Sequence, residues 1–157
     1  MNSSLKKKLM IMGIIVIAFI AMYVFDLIRA KSFHIEVEDM TPNPAVADGQ
    51  TPVAIRVKLV DRHNRPVEGH ALFALAHSGG MFHSLREITN EDGMVEFTYY
   101  PYKASSVTKL KDAVLSFTDE SNSIFIEIGT TTKVILPLLE PEKETISDGL
   151  LDGIFGD

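Results

Sequence analysis

The sequence has no cysteine. Disulfide scaffolds, thiolate zinc sites and cysteine nucleophiles are therefore excluded from the outset. It also lacks an excess of positive charge, since the formal net charge is −6. A nucleic-acid binder would normally turn a basic face toward phosphate, and this balance argues against one. Nor is the chain short of apolar material: 46% of it is hydrophobic and 23% charged, enough for a packed core and too ordinary for a disordered protein. Its 157 residues suit about one folded domain with appendages.

The charge is unevenly spread. Lys6, Lys7, Lys8, Arg29 and Lys31 stand against Asp26 in the first 31 residues, and the remainder holds ten basic and twenty acidic side chains. Between the basic clusters, Leu9 to Phe25 is a run without charged or strongly polar members. As a helix it would measure about 25 Å, or about 30 Å with Leu27 and Ile28, which matches the hydrocarbon of a bilayer. Two readings follow. A signal peptide could be cut after Ala30, or the segment 9–28 could be an uncleaved anchor behind a cytoplasmic basic stretch, 1–8. The run exceeds the roughly 7–15 residues of a signal core, and Asp26-Leu27-Ile28-Arg29 makes a poor cleavage region. Three lysines ahead of the run put the N-terminus in the cytoplasm and the rest of the chain outside, in a single pass of the cytoplasmic membrane. The segment has no Gly-x-x-x-Gly spacing and is expected to hold no buried charge, as suits a plain tether.

Everything beyond residue 32 reads as strand. Phe33, Ile35 and Val37 alternate with His34, Glu36 and Glu38, and Val53, Ile55, Val57 and Leu59 alternate with Ala54, Arg56 and Lys58. His70 to His77, Val95 to Tyr99, Ala113–Thr118, Ser123–Ile128 and Lys133–Leu136 are further expected strands. Pro42, Pro44, Asp48-Gly49, Asp61 to Pro66, Gly79-Gly80 and Glu91-Asp92-Gly93 supply the turns between them. About seven short strands at intervals of roughly ten residues indicate an all-β antiparallel sandwich over 33–136. An acidic flexible tail, 137–157, is expected after it.

The turn residues also carry a resemblance. Ala47-Asp48-Gly49, Val57-Lys58-Leu59-Val60-Asp61, Pro66-Val67-Glu68-Gly69, Gly79-Gly80 and Thr89-Asn90-Glu91-Asp92-Gly93 resemble the bacterial immunoglobulin-like repeats of invasin and intimin in residue type and spacing. The match covers residues 33–128. Val60–Gly69 and Thr89–Phe97 are equally similar to prealbumin-like modules found beside carboxypeptidases. Either resemblance implies a sandwich without catalytic residues, and the Ala-Asp-Gly element favours the immunoglobulin-like repeat. The family's repeats come in tandem arrays hung from an outer-membrane barrel, whereas this chain has room for one copy and shows no barrel.

A single sandwich of about 30–40 Å on a short linker would stay close to the lipid surface. That favours a protein partner inside the cell envelope, with the chain as an accessory subunit of a secretion, pilus, division or wall-synthesis assembly, in which it could also form an oligomer. A surface adhesin, or a glycan- or small-ligand-binding envelope protein, are the alternatives. Two surfaces could meet the partner. If the third strand keeps the register of the family it resembles, His70, Leu72, Ala74 and Ala76 would face the core and Ala71, Phe73, Leu75 and His77 would lie outside. An outward Phe73–Leu75 pair asks for a cover unless the register slips or another strand overlies it. In the tail, Leu150, Leu151, Ile154 and Phe155 follow two Asp-Gly pairs and suit folding onto a partner's groove.

Chemistry is sparse. The five histidines show no zinc-protease spacing, and His70 and His77 have opposite strand parity. Asn90-Glu91-Asp92 and Asp119-Glu120-Ser121-Asn122 are oxygen-rich but lack the calcium-loop pattern. Ser78-Gly79-Gly80 is not a nucleophile elbow. Tyr100 and Tyr102, around Pro101, could stack on a sugar ring, though such tyrosines are more often a strand end packed on its neighbours. No enzyme activity, metal, cofactor or nucleic-acid partner is expected, and the sequon at Asn2 falls on the cytoplasmic side.

Overall fold

The computed structural model describes residues 3–105, 111–121, 124–125 and 128–141. A single helix, α1 (Ser3–Ala30), leads directly into the first strand, and only Lys31 and Ser32 separate them. Within it Lys6–Ala30 is long and apolar enough to cross a membrane. The strands are β1 (Phe33–Thr41), β2 (Ala45–Val46), β3 (Val53–Asp61), β4 (Ala71–Ala76), β5 (Met81–Phe82), β6 (Arg86–Ile88), β7 (Met94–Tyr100), β8 (Asp112–Asp119) and β9 (Thr131–Leu139).

Alternation decides how the strands pack. Val53, Ile55, Val57 and Leu59 of β3 are each fully buried, while Arg56 between them is exposed. Phe97 and Tyr99 on β7 and Leu115 and Phe117 on β8 follow the same period of two and close the core from both sides. Phe82, Phe97 and Phe117 meet at the centre with ring centroids 5.3 to 5.9 Å apart. Two sheets result, in the orders β1-β3-β7-β5 and β2-β9-β8-β4-β6. All described pairings are antiparallel except β2 with β9. An immunoglobulin sandwich pairs its first, second, fifth and fourth strands in one sheet and its third, sixth and seventh in the other. With β2 as a switch of the first strand and β6 as an added edge, this is that order. The fold is an immunoglobulin-like β-sandwich.

The turns show why particular residues stand where they do. Gly93 has φ +70°, and a Cβ there would lie 2.6 Å from the Leu59 carbonyl oxygen. The Asn90 side chain accepts N–H bonds from Asp92 and Met94 and closes the same turn. Asp48 does this after β2, accepting from the Gln50 and Thr51 N–H groups and the Thr51 hydroxyl. Those bonds hold the Asp48 carboxyl below its usual value, the Thr51 hydroxyl contributing most.

Three expectations need correction. The expected strand Ser123–Ile128 is not formed at its described positions Ile124, Phe125 and Ile128, which pair with no strand; 123, 126 and 127 lie outside the described residues. The sandwich does not end at 136, because β9 continues through Pro137 to Leu139 and Leu138 pairs with Ala45. Pro137 sits at the sheet margin, where its missing N–H costs little. The helix does carry a buried charge: Asp26 has no exposed surface and takes the Ile124 and Phe125 N–H groups at 3.1 and 2.7 Å. Its partners lie nearly a hundred residues downstream, which no local pattern reveals.

Candidate partner-binding face

The two sheets have different outer faces. On the four-stranded sheet the middle of the outward face carries ion pairs, with Arg56 3.2 Å from Asp39 and 4.0 Å from Glu96 and Lys58 3.4 Å from Glu38. Met94, Thr98, Tyr100 and the 66%-exposed Met81 also turn outward, on β7 and β5. The paired side chains are all substantially exposed. Such pairs describe a solvated surface and contribute little to stability.

The five-stranded sheet differs. Its pairing places Thr131, Thr118, Phe73 and Arg86 in one outward row and Lys133, Ser116 and Leu75 in the next. A third row holds Ile135 and Val114, and the His77 N–H bonds to the Val114 carbonyl beside them. Ile135, Val114, Leu75 and Phe73 therefore form an apolar diagonal across β9, β8 and β4, at spacings that let neighbouring side chains touch. Ile135 is 62% exposed and Leu75 43%, while Val114 and Phe73 are half-buried. Polar groups frame the diagonal. The His77 imidazole lies 2.8 Å from the Ser116 hydroxyl, and the Thr118 and Thr131 hydroxyls share a bond. The Arg86 guanidinium reaches Glu120 at 3.1 Å.

The expected register of the third strand therefore holds. Leu72 and Ala74 have no exposure and Ala76 packs at the core margin, whereas Phe73 and Leu75 point outward. Ala71 shares their parity but is buried, because its N–H donates to the Ser121 hydroxyl and its carbonyl accepts from the Glu120 N–H. Val114 and Ile135 escaped the sequence reading. Strand parity in Ala113–Thr118 and Lys133–Leu136 turns both outward, but only the sheet order reveals that they continue the Phe73–Leu75 pair.

Leu150, Leu151, Ile154 and Phe155 lie outside the described residues. The tyrosines are structural first. Tyr99 is fully buried and its hydroxyl donates to the Gly79 carbonyl at 2.7 Å; burial, with a smaller effect from Tyr102, pushes the phenol up to about 12. Tyr102 packs against the core beside Gly79, and Tyr100 pairs across the sheet with Met81.

One arrangement has the parts of a hydrolytic site. His70 Nδ1 stands 3.0 Å from the carboxylate of Asp119, which is completely buried. Ser121 lies next to both, but its hydroxyl accepts the Ala71 N–H at 2.7 Å and its own N–H donates to Asp119. The serine is thus part of the bonding that closes the end of β4, and the Phe33 ring lies over the imidazole with centroids 5.2 Å apart. A nucleophile needs its hydroxyl bonded to the base, and no such bond joins Ser121 to His70. Among the described residues, no three histidine or acidic side chains converge as metal ligands.

No known family model and no curated protein matches this sequence. Solved structures do. The chain is similar to the D00-D0 domain of intimin, with 16% identity, a TM-score of 0.46, and 66% of this chain and 48% of that one covered. It is similar also to a C-terminal intimin fragment solved in complex with the intimin-binding domain of the translocated intimin receptor, with 15% identity, a TM-score of 0.46, and 66% and 33% covered. A third is residues 27–141 of a conjugate transposon protein from Bacteroides vulgatus, with 13% identity, a TM-score of 0.40, and 68% and 82% covered. The chain spans about half the length of the first intimin fragment.

Proposed function

We propose that this chain is a membrane-tethered, non-enzymatic binding module of the cell envelope. In this reading α1 crosses the cytoplasmic membrane with its basic N-terminus inside, and the sandwich outside takes a protein partner on the outer face of the five-stranded sheet. The carrying observation is the continuous apolar diagonal on the five-stranded sheet, with Ile135 62% and Leu75 43% exposed, where the centre of the other sheet's outer face carries ion pairs. An apolar stripe rimmed by hydroxyls and an ion pair is what protein interfaces use.

Reach supports a partner inside the envelope. Two residues join the helix to β1, and Ser32 is bound at both ends, its N–H to Arg29 and its carbonyl to the Arg62 N–H. Strands of nine residues are about 30 Å long, so the far end of the sandwich stays within a few nanometres of the lipid. A subunit of a larger envelope assembly suits that distance better than an adhesin for another cell.

Substitution tests the face. Ile135→Ser should leave the melting temperature close to that of the parent, since that side chain is 62% exposed, and Leu75→Ser, at 43%, should lower it only slightly. Recovery of the partner from detergent-solubilised membranes should fall about ten-fold or more, as for the centre of an interface. Phe73→Ser should also lower stability, by about 1–2 kcal/mol, because that ring is half-buried. A folded Leu75→Ser, Ile135→Ser double variant that keeps every partner would refute the assignment.

A further inference from the structure

The connection between β8 and β9 combines two features that are unusual in a loop. Ile124 and Phe125 are 56% and 53% exposed, although turns at a protein surface are ordinarily polar. Their backbone N–H groups both donate to the carboxylate of Asp26, in the last turns of α1, and that carboxylate has no exposed surface. The Phe125 ring meets Phe25 edge to face, with centroids 5.9 Å apart. A third hydrogen bond reinforces the junction, from the Thr130 hydroxyl to the Ala30 carbonyl.

These contacts set a depth. Phe25 closes the charge-free run that opens at Leu9, so with Lys8 at one headgroup level it lies about 25 Å further along the helix. A hydrocarbon layer is about 30 Å thick. Side chains packed beside Phe25 are then at the outer margin of the acyl chains. Lys31 and Arg62, both exposed, stand one step further out at the helix exit, where lipid phosphates would be. The bonding to Asp26 fits the same picture. A carboxylate at this level must be kept from hydrocarbon, and its two amide donors come from residues whose own side chains suit lipid.

We propose that Ile124 and Phe125 form a second membrane contact, a wedge in the outer leaflet beside the helix, clipped to it through Asp26. The inference rests on the reading of α1 as a membrane anchor. The wedge and the helix together fix the sandwich at two points, so the five-stranded sheet is presented sideways above the lipid and does not swing on a single tether.

The absence of cysteine makes the test direct. Single-cysteine full-length chains, Ile124→Cys and Phe125→Cys, carry an environment-sensitive fluorophore. They are reconstituted in vesicles of phosphatidylethanolamine and phosphatidylglycerol containing nitroxide-labelled phospholipid. Ile20→Cys reports the helix interior, and Gln50→Cys reports the far end of the sandwich. Each variant keeps one of the two apolar side chains, and retention of the β-sheet circular dichroism spectrum confirms folding. Labels at 124 and 125 should be blue-shifted and quenched several-fold more than the label at 50, most strongly by a nitroxide near the headgroups. If position 20 is quenched while 124 and 125 both match position 50, the anchor stands and the wedge is refuted. If position 20 is unquenched, the anchor reading falls and the wedge falls with it.

Discussion

Asp61 turns a local ionic arrangement into a pH dependence. Its carboxylate accepts N–H bonds from His63 and Arg65 and takes the Arg65 guanidinium at 2.6 Å, closing the turn that leads out of β3. The guanidinium bond first, and the backbone bonds after it, hold the Asp61 carboxyl well below the usual carboxylate range. A lowered folded-state pKa stabilises the fold fully above the unfolded value of about 3.9, and that contribution is lost as the pH falls toward the folded-state value. The melting temperature of Asp61→Asn should therefore lie below that of the parent at neutral pH. The gap should narrow below about pH 4, as followed by circular dichroism of the full chain in detergent. A gap independent of pH would show that the bonded charge is not its cause. Residues of this kind were legible beforehand. Asp48-Gly49, Asp61 to Pro66 and Asp92-Gly93 announce turns because Asx side chains and glycine satisfy turn geometry locally. Asp26 was not legible, because its partners are distant in sequence.

At the scale of the element, β9 is where sequence and structure part most instructively. A proline and a following acidic run suggest an end at Leu136, yet the strand continues, because Leu138 reaches the core and the Leu139 carbonyl accepts the Ala47 N–H. Tertiary burial and the β2 pairing outweigh the local signal. Two truncations separate these views: a chain ending at Leu136 should melt well below one ending at Pro141. Loss of the Leu138 side chain alone accounts for roughly 2–3 kcal/mol. Equal melting temperatures would mean that residues 137–141 contribute nothing to the sandwich. The opposite error arose at Ser123–Ile128, where alternating isoleucines look like a half-buried strand. There the described residues Ile124 and Phe125 bond to the helix and expose their side chains. Period alone does not say what covers an apolar residue.

Across the described residues the molecule is a helix hydrogen-bonded to an immunoglobulin-like sandwich, with the ion-paired face and the apolar diagonal on opposite sheets. The sandwich was readable from alternation and turn chemistry. The third-strand register and the outward Phe73–Leu75 pair followed only from the resemblance to the immunoglobulin-like repeats, since Ala71 to Ala76 is apolar on both faces. The extension of that pair through Val114 to Ile135 was not legible, because it depends on which strands become neighbours. The account stands on the claim that this diagonal meets a protein in the envelope. A photoreactive amino acid placed at Leu75 or Ile135, with Lys58 on the opposite face as control, tests it in intact membranes. The expected result is one discrete, light-dependent protein adduct from positions 75 and 135 and none from 58. The absence of any adduct at 75 and 135, or the same adduct from all three, would contradict the account.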